Sequence, residues 1–163
     1  MSGGPIKFDS CIPVTSDRTF PYVYIGAGAN SKHEEGLGIE ASLGADSIWR
    51  LRAELPPSLP SGTCKLRLIA LANATSGSAK VNPKWASVAV TVGEDPSSAT
   101  LQAEGTQTLT WAAGGADKYT ELKVTLDADT PVAGEIIVMD LTFETSGWTL
   151  AQISCWKPSI IWE

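Results

Sequence analysis

Apolar and polar positions alternate with a period of two along most of the chain from position 48 onward. The clearest run spans residues 48–55, in which Trp49 and Leu51 lie on one side and Arg50 and Arg52 on the other. Alternation of this kind is typical of a β-strand with one buried face. Prolines and a glycine in residues 56–62 then predict its end, because proline cannot donate to a sheet.

Similar runs, separated by turn-forming residues, indicate further strands. These runs are residues 6–11, 20–26, 65–72, 85–92, 106–111, 119–126, 135–144, 150–156 and 160–162. About nine strands without helical crossovers predict antiparallel sheets packed face to face. The first interpretation is an eight-stranded jelly roll, and the second is an immunoglobulin-like sandwich. Residues 1–163 suit a single β-sandwich domain, with residues 1–20 as an alternative extended N-terminal arm.

The run 135–144 has apolar residues on both of its faces. If Ile137 and Met139 face the core, then Ile136 and Val138 face away from it. A strand that is apolar on both faces is usually covered on both. The terminal run 160–162 is also apolar, so either it is central to the sheet or another subunit covers it. We predict a subunit or scaffold contact at Ile136, Val138, Ile160, Ile161 and Trp162.

Composition and charge exclude several classes of function. The formal net charge of −6 argues against binding to nucleic acid or to an anionic membrane. No stretch approaches the roughly 18 apolar residues of a membrane span. Residues 1–5 carry no signal-peptide core, so we expect synthesis in a cytoplasm without export.

Residues that could bind a metal or run redox chemistry are few. His33 is the single histidine and lies in the glycine-rich segment 26–38, so no metal or cofactor is predicted. Cys11, Cys64 and Cys155 are interpreted as free thiols that fill small apolar spaces. One disulfide with one remaining thiol is the alternative.

Two groups of carboxylates are candidates for a calcium site or a catalytic site. Asp127, Asp129 and Glu135 flank one turn, where they suit either calcium or local hydrogen bonding in the turn. A glycoside-hydrolase pair would come from Glu121, Asp140 and Glu144. Such clefts are usually lined by aromatic residues, whereas the outward face of the strand 135–144 carries Ile136, Val138, Asp140 and Thr142. No catalytic residue is therefore predicted.

Six tryptophans offer large apolar surfaces. Trp49 and Trp111 lie in phase with apolar neighbours and are predicted to be core residues. Trp148 follows Ser146 and Gly147 in a predicted turn, so it is the best candidate for stacking against a sugar ring.

Three short stretches resemble those of small jelly-roll decoration or cement proteins of tailed bacteriophages. They are Trp49–Pro56, Lys80–Ala86 and Pro158–Glu163. The resemblance implies a virion location, no enzymatic activity, and trimers on the capsid surface that contact the major capsid protein. It carries over no binding residue, because no motif position defines one.

The predicted function is therefore that of a non-enzymatic structural protein of a phage particle, which decorates the capsid as a homo-oligomer. The alternative is a carbohydrate-binding β-sandwich module, on a tail fibre or another host-recognition part, with Trp148 as its stacking residue.

Overall fold

The computed structural model describes residues 4–15, 38–42, 47–72, 76–92, 99–112, 119–144 and 152–163. These ranges contain eleven strands and no helix. The strands are β1 (Ile6–Lys7), β2 (Ser10–Thr15), β3 (Gly38–Ser42), β4 (Ser47–Glu54), β5 (Cys64–Ala72), β6 (Ser76–Val88), β7 (Gln102–Ala103), β8 (Gln107–Ala112), β9 (Tyr119–Thr125), β10 (Ile136–Glu144) and β11 (Gln152–Trp162).

The strands form two antiparallel sheets with a nested pairing. β3 pairs with β11, β4 with β10, β5 with β9 and β6 with β8, as in one long hairpin folded over on itself. Joining β11 to β5 and β10 to β6 gives the sheet orders β3-β11-β5-β9 and β4-β10-β6-β8. This order is that of a jelly roll, which confirms the predicted all-β sandwich.

The core consists of the inward side chains of both sheets. Ile137, Met139, Leu141 and Phe143 of β10 are fully buried, which confirms the predicted phase of this strand. Core residues of the other elements are Phe8, Trp49, Leu51, Ala53, Leu55, Cys64, Leu66, Leu68, Val81, Trp85, Leu122, Val124, Leu126 and Ile160. Each large side chain buried in this way contributes about 1.5–3 kcal/mol.

The N-terminal segment pairs with both sheets. The predicted strand 6–11 is divided, because β1 pairs with β11 in the five-stranded sheet while β2 pairs with β4 in the six-stranded sheet. Phe8, between them, is buried in the core. The chain therefore crosses from one sheet to the other at this point. The predicted strand 20–26 lies outside the described residues.

The predicted bounds of the strand at residues 85–92 are wrong. β6 starts at Ser76, and its pairing with β10 ends where Val88 faces Ile136. Val90 and Val92 continue the apolar alternation but are 69% and 105% exposed. Alternation alone did not make a strand here, because no strand of the described ranges pairs with this segment beyond Val88.

Pro83 lies inside β6 without breaking it. Its carbonyl accepts a hydrogen bond from the Glu104 backbone N–H, on the side where β7 and β8 follow β6. β8 pairs with β6 as far as Val81, and β7 pairs from Lys84 onward. The missing proline N–H therefore falls in the gap between two partner strands.

The last two predicted strands are one continuous strand, β11. Its register against β5 shifts between Trp156 and Ser159. The irregularity includes Pro158, which has no N–H to donate. The predicted break thus corresponds to a local shift within the strand.

Cys64 is a buried free thiol at the start of β5. Burial, followed by the charge of Glu104, raises the pKa of this thiol to about 12. The thiol is therefore protonated at neutral pH and acts as a small apolar group, as predicted for this cysteine. The side chains of Cys11 and Cys155 lie outside the described part.

Gly62 gives a stability prediction. Its φ is +117°, and a Cβ at this position would lie 2.8 Å from the Glu163 carbonyl oxygen, within the backbone ladder that joins Thr63 to Glu163. We expect Gly62→Ala to lower the free energy of unfolding by about 2 kcal/mol or more, from backbone strain plus displacement of Glu163. Urea unfolding measures the loss. Gly105→Ala is the control, because Gly105 also has a positive φ, +76°, but has open space around it. Equal losses of stability in the two variants would show that the clash of the new Cβ with Glu163 contributes nothing.

Candidate functional site

The three carboxylates considered for hydrolysis are not brought together. Asp140 and Glu144 lie on the outer side of β10, four residues apart, which corresponds to about 13 Å along a strand. The two carboxylates of a glycosidase lie about 5–9.5 Å apart. Glu121 lies on β9, in the other sheet. These residues therefore do not form a glycosidase pair.

The outer side of the six-stranded sheet carries the largest set of aligned polar side chains in the described residues. We call the outward surface of β4, β10 and β6 the polar sheet face. Strand register places its rows side by side: Arg52–Val138–Ala86, Arg50–Asp140–Lys84, Ile48–Thr142–Asn82 and, on β10 and β6, Glu144–Lys80. The alternation that buries Met139 and Leu141 turns these side chains outward.

The Arg50–Asp140 ion pair lies at the centre of the polar sheet face. Arg50 donates from Nε to Asp140 Oδ1 and from Nη2 to Oδ2, each at 2.7 Å. This two-point geometry holds both groups in one plane. The hydrogen bond from Arg50 to Asp140 raises the pKa of the Arg50 side chain. Both side chains remain partly exposed, at 36% and 18%, so a ligand can reach them.

Asn82 has an unused acceptor on the same face. Its Nδ2 donates to Glu144 Oε1 at 3.4 Å, and Glu144 also accepts from the Thr106 hydroxyl at 2.7 Å. A carboxylate only accepts, so the group facing Glu144 is the amide NH₂ and the other atom is oxygen. That oxygen, Asn82 Oδ1, is buried and has no hydrogen-bond partner within the described residues. An acceptor in this state costs free energy unless a ligand or water satisfies it.

An apolar strip lies beside the ion pair. Val138 is 5% exposed and Ala86 is 6% exposed, and the two face each other across β10 and β6. The stem of Arg52 is next to Val138 on the other side, because these residues pair between β4 and β10. Val138 is thus buried within a single chain, among its neighbours in the sheet.

The structure places the other predicted contact residues in different environments. Ile160 is fully buried in the core, where it pairs with Ile6 and Leu66, so its side chain has no surface left for a partner. Ile136, Ile161 and Trp162 are partly exposed. The predicted subunit contact stays a prediction. Trp148 and His33 lie outside the described residues.

The outer side of the five-stranded sheet carries a chain of ion pairs. Glu121 contacts Arg67 at 2.5 Å and Lys123 at 3.2 Å. Glu163 binds Lys123 as well, and Lys65 at 3.1 Å. Hydrogen bonds, chiefly from Arg67 and from Lys123 respectively, lower the pKa values of Glu121 and Glu163. Glu121 therefore belongs to a cross-strand ion network.

The turn carboxylates bind the backbone and hydroxyl groups of nearby residues. Asp129 accepts from the backbone N–H groups of Ser87 and Thr130, at 3.0 and 2.8 Å. Glu135 accepts from the Ser87 hydroxyl at 2.7 Å. This matches the local hydrogen-bonding interpretation. No group of three or more His, Cys, Asp or Glu side chains that could hold a metal occurs in the described ranges.

Sequence reasoning missed Glu104. One oxygen of its side chain, Oε1, accepts from Trp85 Nε1 at 2.6 Å and from the backbone N–H groups of Asp127 and Ala128 at 2.7 and 2.9 Å. A core tryptophan and the start of the 126–135 turn are thus joined through one carboxylate. No pattern in the sequence distinguishes Glu104 from other loop glutamates.

Comparisons with known proteins show what the fold resembles. No protein-family model and no curated protein matches the chain. An arabinose-bound GH51 α-L-arabinofuranosidase superposes with a TM-score of 0.51 at 11% identity, covering 98% of this chain and 24% of that one. The CBM35 module of Cellvibrio japonicus Abf62 gives a TM-score of 0.41 at 10% identity, covering 97% and 95%. Tailspike protein 4 of bacteriophage CBA120 gives 0.44 at 8%, covering 94% and 19%.

These likenesses show the fold alone. The chain spans about a quarter of the arabinofuranosidase chain.

The described part of the chain contains no helix with the length and apolar character of a membrane span.

The ion network predicts how stability depends on pH. A carboxylate whose pKa is lowered by folding stabilises the protein at any pH above its ordinary pKa of 4.5. This stabilisation is lost as the pH falls through the lower pKa that the group has in the folded protein. We therefore expect the double variant Glu121→Gln/Glu163→Gln to lose less stability than the parent between about pH 5 and pH 2. Urea midpoints across this range measure the difference. The control is Glu54→Gln, which changes an exposed glutamate outside the network. If stability changes with pH in the same way in all three proteins, the ion network is not the source of the pH dependence.

Proposed function

We propose that the protein is a non-catalytic binding domain whose polar sheet face binds a carbohydrate. The observation that supports this most directly is the buried Asn82 oxygen without a partner, beside the partly exposed Arg50–Asp140 pair. Together they present acceptors and donors that a ligand with many hydroxyl groups can use. Sugar hydroxyls both donate and accept, so each group on this face has a complementary partner.

The support for binding comes from preorganisation. Arg50 and Asp140 hold each other in place, and their strands are fixed in register by the sheet. Side chains that are ordered before binding lose little conformational entropy when a ligand arrives. A vicinal diol could donate to Asp140 and accept from Arg50.

The support for a non-catalytic role comes from the separation of the acids. Asp140 is engaged by Arg50, Glu144 lies about 13 Å along the same strand, and Glu121 is in the other sheet. The fold is also compatible with this proposal, since carbohydrate-binding modules share the β-sandwich, but that is an analogy of architecture. Stacking by Trp148 stays a prediction beside the polar sheet face.

Binding to glycans tests the proposal. On a glycan array and in titration calorimetry, we expect Asp140→Asn and Asn82→Ala each to weaken binding about tenfold, because each removes a hydrogen bond to the sugar. Thr125→Ala, an exposed substitution on β9 of the opposite sheet, is the matched control. Thermal melts verify that all variants fold. A blank array with the parent protein, or equal binding by the folded variants and the control, would sink the proposal.

A second candidate is the capsid decoration protein that the sequence resembles. It is favoured by exposed apolar side chains that one chain alone leaves in water. Val90, Val92 and Val132 are exposed, and Ile136, Ile161 and Trp162 are partly exposed. Apolar side chains of this kind gain by burial against another subunit or a lattice.

The second candidate predicts a trimer and binding to capsids. Size-exclusion chromatography with light scattering gives the oligomeric state, and co-sedimentation with purified phage capsids gives the binding. We expect Val90→Asp/Val92→Asp to abolish co-sedimentation, since burying two carboxylates without partners is unfavourable. The control is Thr91→Asp, which adds charge between the two valines. A strict monomer without affinity for capsids would contradict this candidate.

A further inference from the structure

We infer that the polar sheet face is selective for an anionic saccharide, and that a sugar carboxylate binds between Arg52 and Lys84. The inference rests on the proposed carbohydrate-binding function and adds the chemical class of the ligand. A chain of uronic acid residues is a ligand of this class. The charges of the face, their pairing and the distance between the two cations support the inference.

The polar sheet face is rich in cations, although the protein as a whole is acidic. The chain has a formal net charge of −6. Four cationic side chains nevertheless occupy the rows of this face: Arg50, Arg52, Lys80 and Lys84. Its anionic side chains are Asp140, Glu144 and, at the end of β4, Glu54. Four cations against three anions leave this face with an excess of one positive charge, whereas the chain as a whole is negative.

Pairing within the face leaves two of these cations for a ligand. Arg50 is bound by Asp140 at both carboxylate oxygens. Glu144 lies directly opposite Lys80 in the β10–β6 register, so these charges offset each other. Lys84 lies opposite Asp140 in the same register, but both oxygens of Asp140 are bound by Arg50. Within the described residues, neither Arg52 nor Lys84 has an ion pair. Both are partly or fully exposed, so an incoming anion can reach them.

The spacing of Arg52 and Lys84 suits one sugar ring. Arg52 lies opposite Val138, which in turn lies opposite Ala86, so Arg52 and Ala86 are separated by two strand spacings, about 10 Å. Lys84 is two residues from Ala86 on β6, which places its Cα about 12 Å from that of Arg52. Both long side chains can extend over the Val138–Ala86 strip between them. A sugar carboxylate held above these two buried residues would be within reach of both cations.

The chemistry of the two cations favours a carboxylate. The guanidinium of Arg52 can donate two parallel hydrogen bonds to one carboxylate, and Lys84 adds a point charge. Asp140, which lies directly opposite Lys84 on β10, remains available for a hydroxyl group of the same ring.

Binding of the whole chain to matched oligosaccharides tests the inference. The probes are an oligogalacturonate, a neutral galactan oligomer of the same length, and dextran sulfate, measured by calorimetry at two salt concentrations. We expect the oligogalacturonate to bind about tenfold more tightly than the neutral oligomer and to lose affinity as salt rises, because charge contacts are screened. Arg52→Gln/Lys84→Gln should remove this preference, so that the affinity for the oligogalacturonate falls about tenfold, to that for the neutral oligomer.

Two further variants separate charge at the site from charge elsewhere. Lys7→Gln removes an exposed cation that lies in the other sheet, on β1, and should leave the preference unchanged. Arg52→Lys keeps the charge but removes the two-point donor, so it should reduce the preference only in part.

The outcomes distinguish the inference from the function on which it rests. If the neutral oligomer binds as tightly as the oligogalacturonate, or the double variant keeps the preference, the inference is wrong and the proposed function stands. If dextran sulfate binds as tightly as the oligogalacturonate, the assignment to a carboxylate is wrong. If no oligosaccharide binds at all, the proposed carbohydrate-binding function itself has failed.

Discussion

The register of β10 between β4 and β6 is the constraint on which the core and the candidate site both depend. Each residue of β10 from Ile136 to Phe143 faces a residue of β4 on one side and of β6 on the other. The odd-numbered positions, such as Met139 and Leu141, are buried, while Asp140 and Glu144 point outward. Because side chains alternate with a period of two, a slip by one residue would bury Asp140 and expose Met139. The apolar core thus holds the ion pair and the amide of the polar sheet face in place.

Carboxylates in this protein have different roles according to their location in the sandwich. Glu104 joins a core tryptophan to a turn, Asp129 and Glu135 hold that turn on Ser87, and Glu121 belongs to an ion network. Asp140 and Glu144 are on the polar sheet face. The residue type is the same throughout, and the differences come from the neighbours that the fold supplies.

Several elements could be predicted from the sequence because their alternation is local. The strands that became β4, β5, β8, β9 and β10 were predicted close to their observed bounds, and the phase of β10 was confirmed. The prediction for 85–92 was wrong in its bounds, since Val90 and Val92 alternate as a strand does but pair with no strand in the part of the chain that the structure describes. The division of residues 6–11 between two sheets also depends on distant partners, β11 and β4.

By itself, the sequence determined the fold class, the inward side of most strands and the scarcity of metal-binding side chains, because each of these follows from composition or from a period of two. Only the tertiary structure decided which strands are neighbours. It separated Glu121 from Asp140, placed Ile160 in the core, and aligned Arg50 with Asp140 and Asn82 with Glu144. The physical reason is that strand pairing joins residues far apart in the chain, and no local pattern specifies which of the many possible partners will be paired.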